Sequence, residues 1–175
     1  MPELPVIRIL VSACLLGERV RYSGADARSP SPILAKWLSD DRVVPFCPEV
    51  AGGLGVPRPA AEIRGAGGMA VVAGTAQVIT EAGADATDAF LLGARRALEA
   101  AVAANVRLAV LKDGSPSCGS DLIYDGSFTG RTRRGQGVTT ALLEREGIRV
   151  FSDARISEAA EYLDRLEAAA KKEHT

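Results

Sequence analysis

Histidine is almost absent from this sequence, and closely spaced cysteine pairs are missing altogether. The single histidine is His174, in a charged C-terminal tail. Without a histidine near any nucleophile, the sequence excludes a Ser-His-Asp triad, a Cys-His dyad and a histidine-ligated zinc site. Three cysteines are present but no two form a Cys-x-x-Cys pair, which argues against thioredoxin-like redox chemistry and ordinary zinc ribbons.

The sequence also lacks a basic excess and a long apolar run. Its 175 residues include 21 Lys and Arg against 22 Asp and Glu, a formal net charge of -1, so we expect no nucleic-acid partner. There is no apolar run of about 18 residues, and residues 1–5 lack the features of a secretory signal. We therefore expect a cytoplasmic protein with no membrane partner, and the odd cysteine number argues against a disulfide framework.

What the sequence does contain is a cysteine after each of three short apolar runs. Each run has the composition of a buried strand and leads, directly or through a short loop, into one cysteine: 6–13 into Cys14, 42–46 into Cys47, and 108–111 into Cys118. Because the carboxyl ends of parallel strands share one edge of an open sheet, we expect the three thiols to meet there. Plain burial is the alternative for any one cysteine, but polar or glycine-bearing loops border all three.

The hydrophobic spacing predicts a single α/β domain over residues 1–175. Apolar residues at helical spacing indicate four helices. These are 32–38 with Ser31 as N-cap, 87–105 capped by Asp85 or Thr87, 138–146 stopped by Gly147, and 157–171. Strands alternate with these helices, the last strand being 148–151, which implies right-handed crossovers and a mostly parallel sheet with helices on both faces.

Shorter segments carry further predictions. Residues 69–73 and 76–80, separated by Gly74 and Thr75, indicate a small antiparallel hairpin. Residues 125–137 hold four glycines and three arginines and are expected to be mobile or ligand-bound. Trp37 is expected to pack inward. The stripe of helix 87–105 that faces the core is predicted to be Phe90, Leu91, Ala94, Leu98, Ala101 and Val102.

Three thiolates without histidine are the ligand set of a soft transition-metal centre. Ligand softness allows either zinc or an iron-sulfur cluster. Three protein ligands leave one coordination position for substrate or water, and in a cubane cluster the same logic leaves one iron open to act as a Lewis acid. A non-catalytic zinc or iron-sulfur sensor and a sulfur carrier use the same ligands and remain alternatives.

Polar residues that lie near these cysteines in sequence are candidates for chemistry. Glu49, two residues after Cys47, is a candidate general acid/base, with a loop-capping carboxylate as the alternative. Ser115 and Ser117 precede Cys118 and either line the same cavity or cap the following turn.

Two further residues are candidates for substrate binding. Arg58 is flanked by two prolines that fix the backbone, which suits a cation held over a polar ligand. An ion pair between Arg58 and Glu62 is the alternative. Ser12 ends the first apolar run, next to the first cysteine loop. The predicted substrate-binding residues are therefore Ser12, Arg58 and Ser117.

Several short motifs resemble those of one bacterial family. They are Val11-Ser12-Ala13-Cys14-Leu15-Leu16-Gly17, Cys47-Pro48-Glu49-Val50 with Gly52-Gly53 and Pro57-Arg58-Pro59, Ser115-Pro116-Ser117-Cys118-Gly119, Tyr124-Asp125-Gly126 and Gly137-Val138-Thr139. Through them the chain is similar to the family called domain of unknown function 523, with a family core at 6–152 and a C-terminal helix and tail at 157–175. The characterised branch of that family is the thiouracil desulfidases.

This resemblance implies roles for the candidate residues. The thiouracil desulfidases carry a 4Fe-4S cluster on three cysteines and remove sulfur from a thiolated pyrimidine without net redox change. By the resemblance, Cys14, Cys47 and Cys118 hold a cluster with one open iron site, Glu49 is the catalytic acid/base and Ser115 is its hydroxyl partner. The expected activity is desulfuration of a thiolated pyrimidine or similar thiocarbonyl compound, with release of hydrosulfide.

Overall fold

The computed structural model describes residues 3–175, which form eight strands and six α-helices. The strands are β1 (Arg8–Ser12), β2 (Val43–Phe46), β3 (Ala61–Arg64), β4 (Gln77–Thr80), β5 (Val106–Leu111), β6 (Leu122–Tyr124), β7 (Thr132–Arg134) and β8 (Arg149–Ser152). The helices are α1 (Pro32–Ser39), α2 (Pro48–Ala51), α3 (Gly68–Val72), α4 (Thr87–Ala103), α5 (Val138–Arg145) and α6 (Ile156–Glu173). Four strands form a parallel sheet in the order β2-β1-β5-β8, which confirms the predicted α/β class.

Helices cover both faces of this sheet, as predicted. Ile9 and Val11 of β1 point into a core shared with α1 and α6, whereas Leu10 points into a core shared with α4 and α5. All three side chains are 0% exposed. Alternation along a strand places neighbours on opposite faces, so a strand with apolar residues at every position belongs in the middle of the layered structure.

Several predicted helix boundaries agree with the structure. The Leu34 amide donates a hydrogen bond to Ser31 Oγ at 3.4 Å, which makes Ser31 the N-cap of α1. Trp37 packs inward and is 5% exposed. Gly147 lies just beyond α5 with a φ of 84°, a left-handed conformation that glycine adopts without a steric cost.

Helix α4 departs from its prediction in two details. Its N-cap position is Ala86, and the Thr87 hydroxyl accepts a hydrogen bond from the Val78 amide instead of capping the helix. Asp85 accepts the Thr87 amide from just before the helix. The buried stripe is Phe90, Gly93, Ala94, Ala97 and Ala101. Val102 is 69% exposed, so the prediction that it faces the core is wrong. As the residue that follows Ala101, it points away from the face on which Ala101 is buried.

A small antiparallel hairpin is present, as predicted, but it is formed by β6 and β7, and its predicted position over residues 69–80 is wrong. The first half of that range is helix α3, and β4 pairs in antiparallel fashion with β3 instead. Gly74, with a φ of 82°, ends α3: the Thr75 amide donates to the Ala70 carbonyl at 2.8 Å. A short run of alanine and valine fits a strand or a buried helix equally well. Gly68, the first residue of α3, lies close against the Gly137 backbone at the start of α5. This contact favours the helical form of the run.

A second antiparallel pair occupies part of the segment predicted to be mobile or ligand-bound. β7 pairs with β6, and the Asp125 amide donates to the Arg131 carbonyl at 3.0 Å across their loop. The Arg133 side chain donates to the Ala66 carbonyl at 3.1 Å. These partners give residues 132–134 a regular structure, and the expectation that residues 125–137 are mobile or ligand-bound stays a prediction.

Helix α6 packs on the parallel sheet through Ile156, Ala159 and Leu163, which join the same core as α1. Within residues 3–175, no helix has both the length and the apolar character needed to cross a membrane. The prediction made for residues 1–5 includes Met1 and Pro2, which lie outside the described residues.

Candidate functional site

Three adjacent strands bring the three cysteines to one edge of the parallel sheet. β2, β1 and β5 are neighbours, and the chain leaves all of them at the carboxyl edge. Cys14 lies in a 3-10 turn directly after β1, Cys47 directly after β2, and Cys118 in the loop that follows β5. All three line one cavity of about 410 Å³, a volume within the usual range for small-molecule sites.

Burial disfavours the thiolate form of these cysteines when they have no metal to bind. Cys14 and Cys118 are 8% and 6% exposed. Desolvation raises the pKa of Cys14 to about 11 and also raises the pKa of Cys47 and of Cys118. The charges of Arg21 and Lys112 act in the opposite direction on the Cys14 pKa. A metal centre would supply the positive charge that these buried thiolates need.

The grouping of the cysteines bears on the kind of metal centre. Among residues 3–175, no three His, Cys, Asp or Glu side chains are grouped closely enough to hold a single metal ion. A zinc ion needs every sulfur ligand about 2.3 Å from one point, whereas cysteines that hold a cubane cluster bind different irons at separate corners. The soft donor set of three thiols around one cavity fits a cluster in which each cysteine binds a different iron.

Asp113 organises the loop that carries Cys118. Its Oδ1 accepts hydrogen bonds from the backbone amides of Gly114, Ser120, Asp121 and Leu122 at 3.0 to 3.2 Å. Sequence analysis missed this residue. The Asp-Gly pair that precedes the cysteine loop was the available signal, since aspartate commonly accepts amides of the turn that follows it.

Ser115 performs both of the roles left open for it. Its Oγ accepts the amides of Ser117 and Cys118 at 3.0 and 3.1 Å and so caps the turn before the cysteine. The same hydroxyl donates to Glu49 Oε2 at 3.3 Å and lines the cavity. The loop after β5 is thereby joined to the segment after β2.

Glu49 lies in the first turn of α2 and is held from its other side by Arg58. Arg58 Nε donates to Glu49 Oε1 at 3.2 Å, and the two side chains are 6% and 16% exposed respectively. Arg58 also donates to the carbonyls of Val20 and Gly55. The alternative ion pair with Glu62 does not form, because that carboxylate accepts backbone amides instead. Three of the five N–H donors of Arg58 are therefore engaged within the protein, and Arg58 also lines the cavity.

The two remaining predicted substrate-binding residues have different surroundings. Ser12 lines the cavity, and its Oγ accepts the Lys112 amide at 2.9 Å. Burial raises the pKa of Cys118, and a hydrogen bond from the Ser12 side chain opposes that shift. Ser117 does not line the cavity: it is 1% exposed, and its hydroxyl is 2.8 Å from Thr139 Oγ1. Ser117 therefore joins its loop to α5.

The cavity has two walls of different origin. The inner wall comprises residues at the carboxyl ends of the parallel strands, namely Ser12, Cys14, Cys47, Glu49, Ser115 and Cys118. The outer wall comprises residues of the two antiparallel pairs and their connections, namely Ala61, Glu62, Glu81, Tyr124 and Phe128. A small molecule between the walls would meet thiols and the Glu49 carboxylate on one side, and aromatic rings together with Glu62 and Glu81 on the other.

The chain belongs to the family described as 2-thiouracil desulfurase, whose model matches residues 9–155. This match confirms the resemblance drawn from the motifs and includes every cysteine of the chain.

Two similar proteins extend this finding. The uncharacterized protein YbbK of Bacillus subtilis (strain 168) is 42% identical over 150 residues, which are 86% of this chain and 98% of that protein. A solved structure, described as a 4Fe-4S-dependent thiouracil desulfidase and named TudS, is 47% identical. It matches with a TM-score of 0.83 over 90% of this chain and 98% of the other. The fold described above is therefore shared with a desulfidase of known structure.

Proposed function

We propose that this chain is an iron-sulfur-dependent desulfidase that replaces the sulfur of a thiolated pyrimidine, or of a similar thiocarbonyl compound, with oxygen. The observation that carries the proposal is that three cysteines from neighbouring strand ends share one cavity with the hydrogen-bonded pair Glu49 and Ser115. Membership of the 2-thiouracil desulfurase family and the similarity to a 4Fe-4S-dependent desulfidase support the same activity.

Cys14, Cys47 and Cys118 would hold a 4Fe-4S cluster, which leaves one iron without a protein ligand. When bound, the cluster supplies a Lewis-acidic iron to which a soft thiocarbonyl sulfur can bind, making the attached carbon electrophilic. The Ser12 side chain forms a hydrogen bond with Cys118 that favours the thiolate form of this ligand. The charges of Arg21 and Lys112 near Cys14 favour the anionic ligand set.

Glu49 is placed to act on the attacking water. Its carboxylate is fixed by Arg58 at Oε1 and by Ser115 at Oε2, so its orientation is set before a substrate arrives. We assign Glu49 as the general base that takes a proton from water at Oε2, with Ser115 holding that oxygen in place. We assign Arg58 as a positioning residue, since it holds Glu49 Oε1 and two further donors are engaged by backbone carbonyls.

The reaction needs no electron donor or acceptor. The water oxygen bonds to the thiocarbonyl carbon, the carbon-sulfur bond breaks, and the sulfur leaves as hydrosulfide. The proton held by Glu49 passes to the departing sulfur, which restores the carboxylate, and the second proton of the water leaves the adduct hydroxyl for solvent as the carbonyl forms. One water is consumed, and one oxygen replaces one sulfur in the product.

The proposal is tested by reconstituting the protein with iron and sulfide under anaerobic conditions and adding 2-thiouracil. We expect equal amounts of uracil and sulfide, with many turnovers per cluster. The variant Cys47→Ser, prepared in parallel, should lose iron and activity together. Loaded protein that forms neither product would contradict the proposal and favour a sensor. Sulfur that leaves the substrate but stays on the protein would indicate a carrier.

A further inference from the structure

The cavity contains a disproportionate share of the aromatic residues of this chain. The sequence has only one Trp, three Tyr and four Phe. Tyr22, Phe46, Tyr124 and Phe128 all line the cavity. The others serve the core: Trp37, Phe90 and Phe151 are buried, and Tyr162 packs on Phe151 with ring centroids 5.7 Å apart. A chain poor in aromatics thus concentrates half of them at one small-molecule site.

Two of these aromatic side chains are exposed to solvent, although burial of an aromatic ring is normally favourable. Tyr22 is 46% exposed and Tyr124 is 41% exposed, whereas Cys14 and Cys118, which line the same cavity, are 8% and 6% exposed. The two tyrosines are therefore much more accessible to solvent than these two thiols. Phe46 packs partly into the core beneath the sheet. We define the aromatic rim as Tyr22, Tyr124 and Phe128.

The backbone of each rim residue is fixed by a contact with the cavity wall. The Tyr22 carbonyl accepts the Arg58 amide at 2.8 Å. Tyr124 belongs to β6, where it pairs with Thr132. The Phe128 amide donates to the buried carboxylate of Glu62 at 3.2 Å.

Phe128 has an unusual backbone conformation as well. Its φ is 57°, in the left-handed region that a phenylalanine rarely adopts. Glu62 Oε1 also accepts the amide of Gly126 at 2.9 Å, two residues earlier. A carboxylate that is 8% exposed thus holds this loop in the shape that brings Phe128 to the cavity.

Partly exposed aromatic side chains that line a cavity can stack on flat rings. Aromatic rings stack in offset or edge-to-face arrangements, and stacking on a nucleobase tolerates many bases because each has a π-face. An acyclic thioamide or a puckered ring lacks such a face. Resting on the proposed function, we propose that the aromatic rim stacks on the substrate ring and restricts this enzyme to planar heteroaromatic thiocarbonyl compounds.

Binding of two sulfur-free ligands tests this proposal without using turnover. Uracil is planar, and 5,6-dihydrouracil carries the same hydrogen-bonding groups on a puckered ring. Isothermal titration of anaerobic, cluster-loaded protein should show uracil binding at least about tenfold more tightly than dihydrouracil. The variants Tyr22→Leu and Tyr124→Leu should each weaken uracil binding about five- to hundredfold, the range expected for one lost stacking contact, and should leave dihydrouracil binding nearly unchanged.

Two kinds of control separate stacking from damage to the fold. Tyr22→Phe and Tyr124→Phe keep the ring and should bind uracil within about threefold of the wild type. Tyr162→Leu makes the same change outside the cavity and should also leave binding unchanged. An iron content equal to that of the wild type shows that each variant is folded.

Several outcomes would contradict the proposal that the aromatic rim stacks on the substrate ring. They are equal affinity for the two ligands, no measurable uracil binding, leucine variants that bind as the wild type does, and leucine variants that weaken both ligands equally. Failure of the proposed function is distinguishable, because it appears as absent sulfide release from 2-thiouracil while the uracil preference persists. Sulfide release without that preference would reject the aromatic rim alone.

Discussion

The inner and outer walls of the cavity are built from different kinds of structure. The inner wall stands on parallel strands that are buried between two layers of helices. The outer wall stands on two separate antiparallel pairs, β3 with β4 and β6 with β7, outside that sheet. The groups proposed to do chemistry are all on the inner wall, and the outer wall contributes rings and the carboxylate that shapes their loop. The proposed catalytic groups thus lie on a different part of the fold from Tyr124 and Phe128, whereas Tyr22 of the aromatic rim lies in the connection between β1 and α1.

The largest expected difference between the two walls is in turnover, and the same Glu→Gln substitution on each wall measures it. Glu49→Gln on the inner wall should lower turnover of 2-thiouracil about hundredfold or more, because the amide cannot take a proton from water. Glu62→Gln on the outer wall keeps an oxygen that can accept the Gly126 and Phe128 amides, so turnover should fall by less than about tenfold. Initial rates of sulfide release measure both.

Iron content is the control for this comparison, and it should equal that of the wild type in both variants. Near-normal turnover by Glu49→Gln would reject its role as general base. A loss as large in Glu62→Gln would show that the two walls are not functionally separate.

The inner wall could be predicted well from sequence because its signals are local. An uninterrupted run such as 108–111 predicts a central strand by itself, and parallel strands fix the edge at which the following residues lie. Cys14, Cys47 and Cys118 come together for this reason. Glu49 and Ser115 follow because they are close in sequence to those cysteines.

The outer wall could not be predicted, because its pairing depends on residues that are distant in sequence. β3 was missed since Ala61-Glu62-Ile63-Arg64 has too few apolar residues to stand out, and its partner β4 was paired with the wrong neighbour. Glu62 shows the same problem: its partners, Gly126 and Phe128, come more than 60 residues later. Asp113 was missed for a different reason, since a carboxylate that accepts four loop amides has no sequence signature beyond a turn.

Burial of the inner wall predicts a difference of about a hundredfold in thiol reactivity. The thiolate is the reactive form, and a pKa of about 11 in place of 9.0 at Cys14 lowers the thiolate fraction near pH 7.5 about hundredfold. In iron-free protein that retains its three cysteines, iodoacetamide should therefore label Cys14 slowly, and mass spectrometry separates the Cys14 peptide from those of Cys47 and Cys118. The labelling rate should rise about tenfold per pH unit toward pH 11.

A cysteine on the outer wall provides the matched comparison. Adding Tyr124→Cys to a variant without the three native cysteines places a thiol at a position where the native side chain is 41% exposed, and this thiol should be labelled at the rate of a free cysteine. Mass spectrometry over a pH series measures both rates. Equal rates for Cys14 and the introduced cysteine would contradict the desolvated character of the inner wall.

The smallest expected difference is in the free energy of unfolding. It compares Asp113 with Glu62, the two carboxylates that accept backbone amides of loops. Asp113 Oδ1 accepts four backbone amides, and Glu62 Oε1 accepts two. Asp113→Ala should lower the free energy of unfolding by about 3 kcal/mol and Glu62→Ala by about 1.5 kcal/mol, since each leaves amides without an acceptor. Urea unfolding of cluster-loaded protein, at a fixed iron content because a bound cofactor adds stability, measures the difference.

Asp113→Asn separates the hydrogen bonds from the side-chain volume. The asparagine keeps one oxygen that can accept the amides of the Cys118 loop, so most of the stability lost in Asp113→Ala should return. If the loop instead depended on the negative charge, Asn and Ala would be equally destabilising. If Asp113→Ala and Glu62→Ala lowered the free energy of unfolding equally, the number of accepted amides would not determine how strongly each carboxylate stabilises its loop.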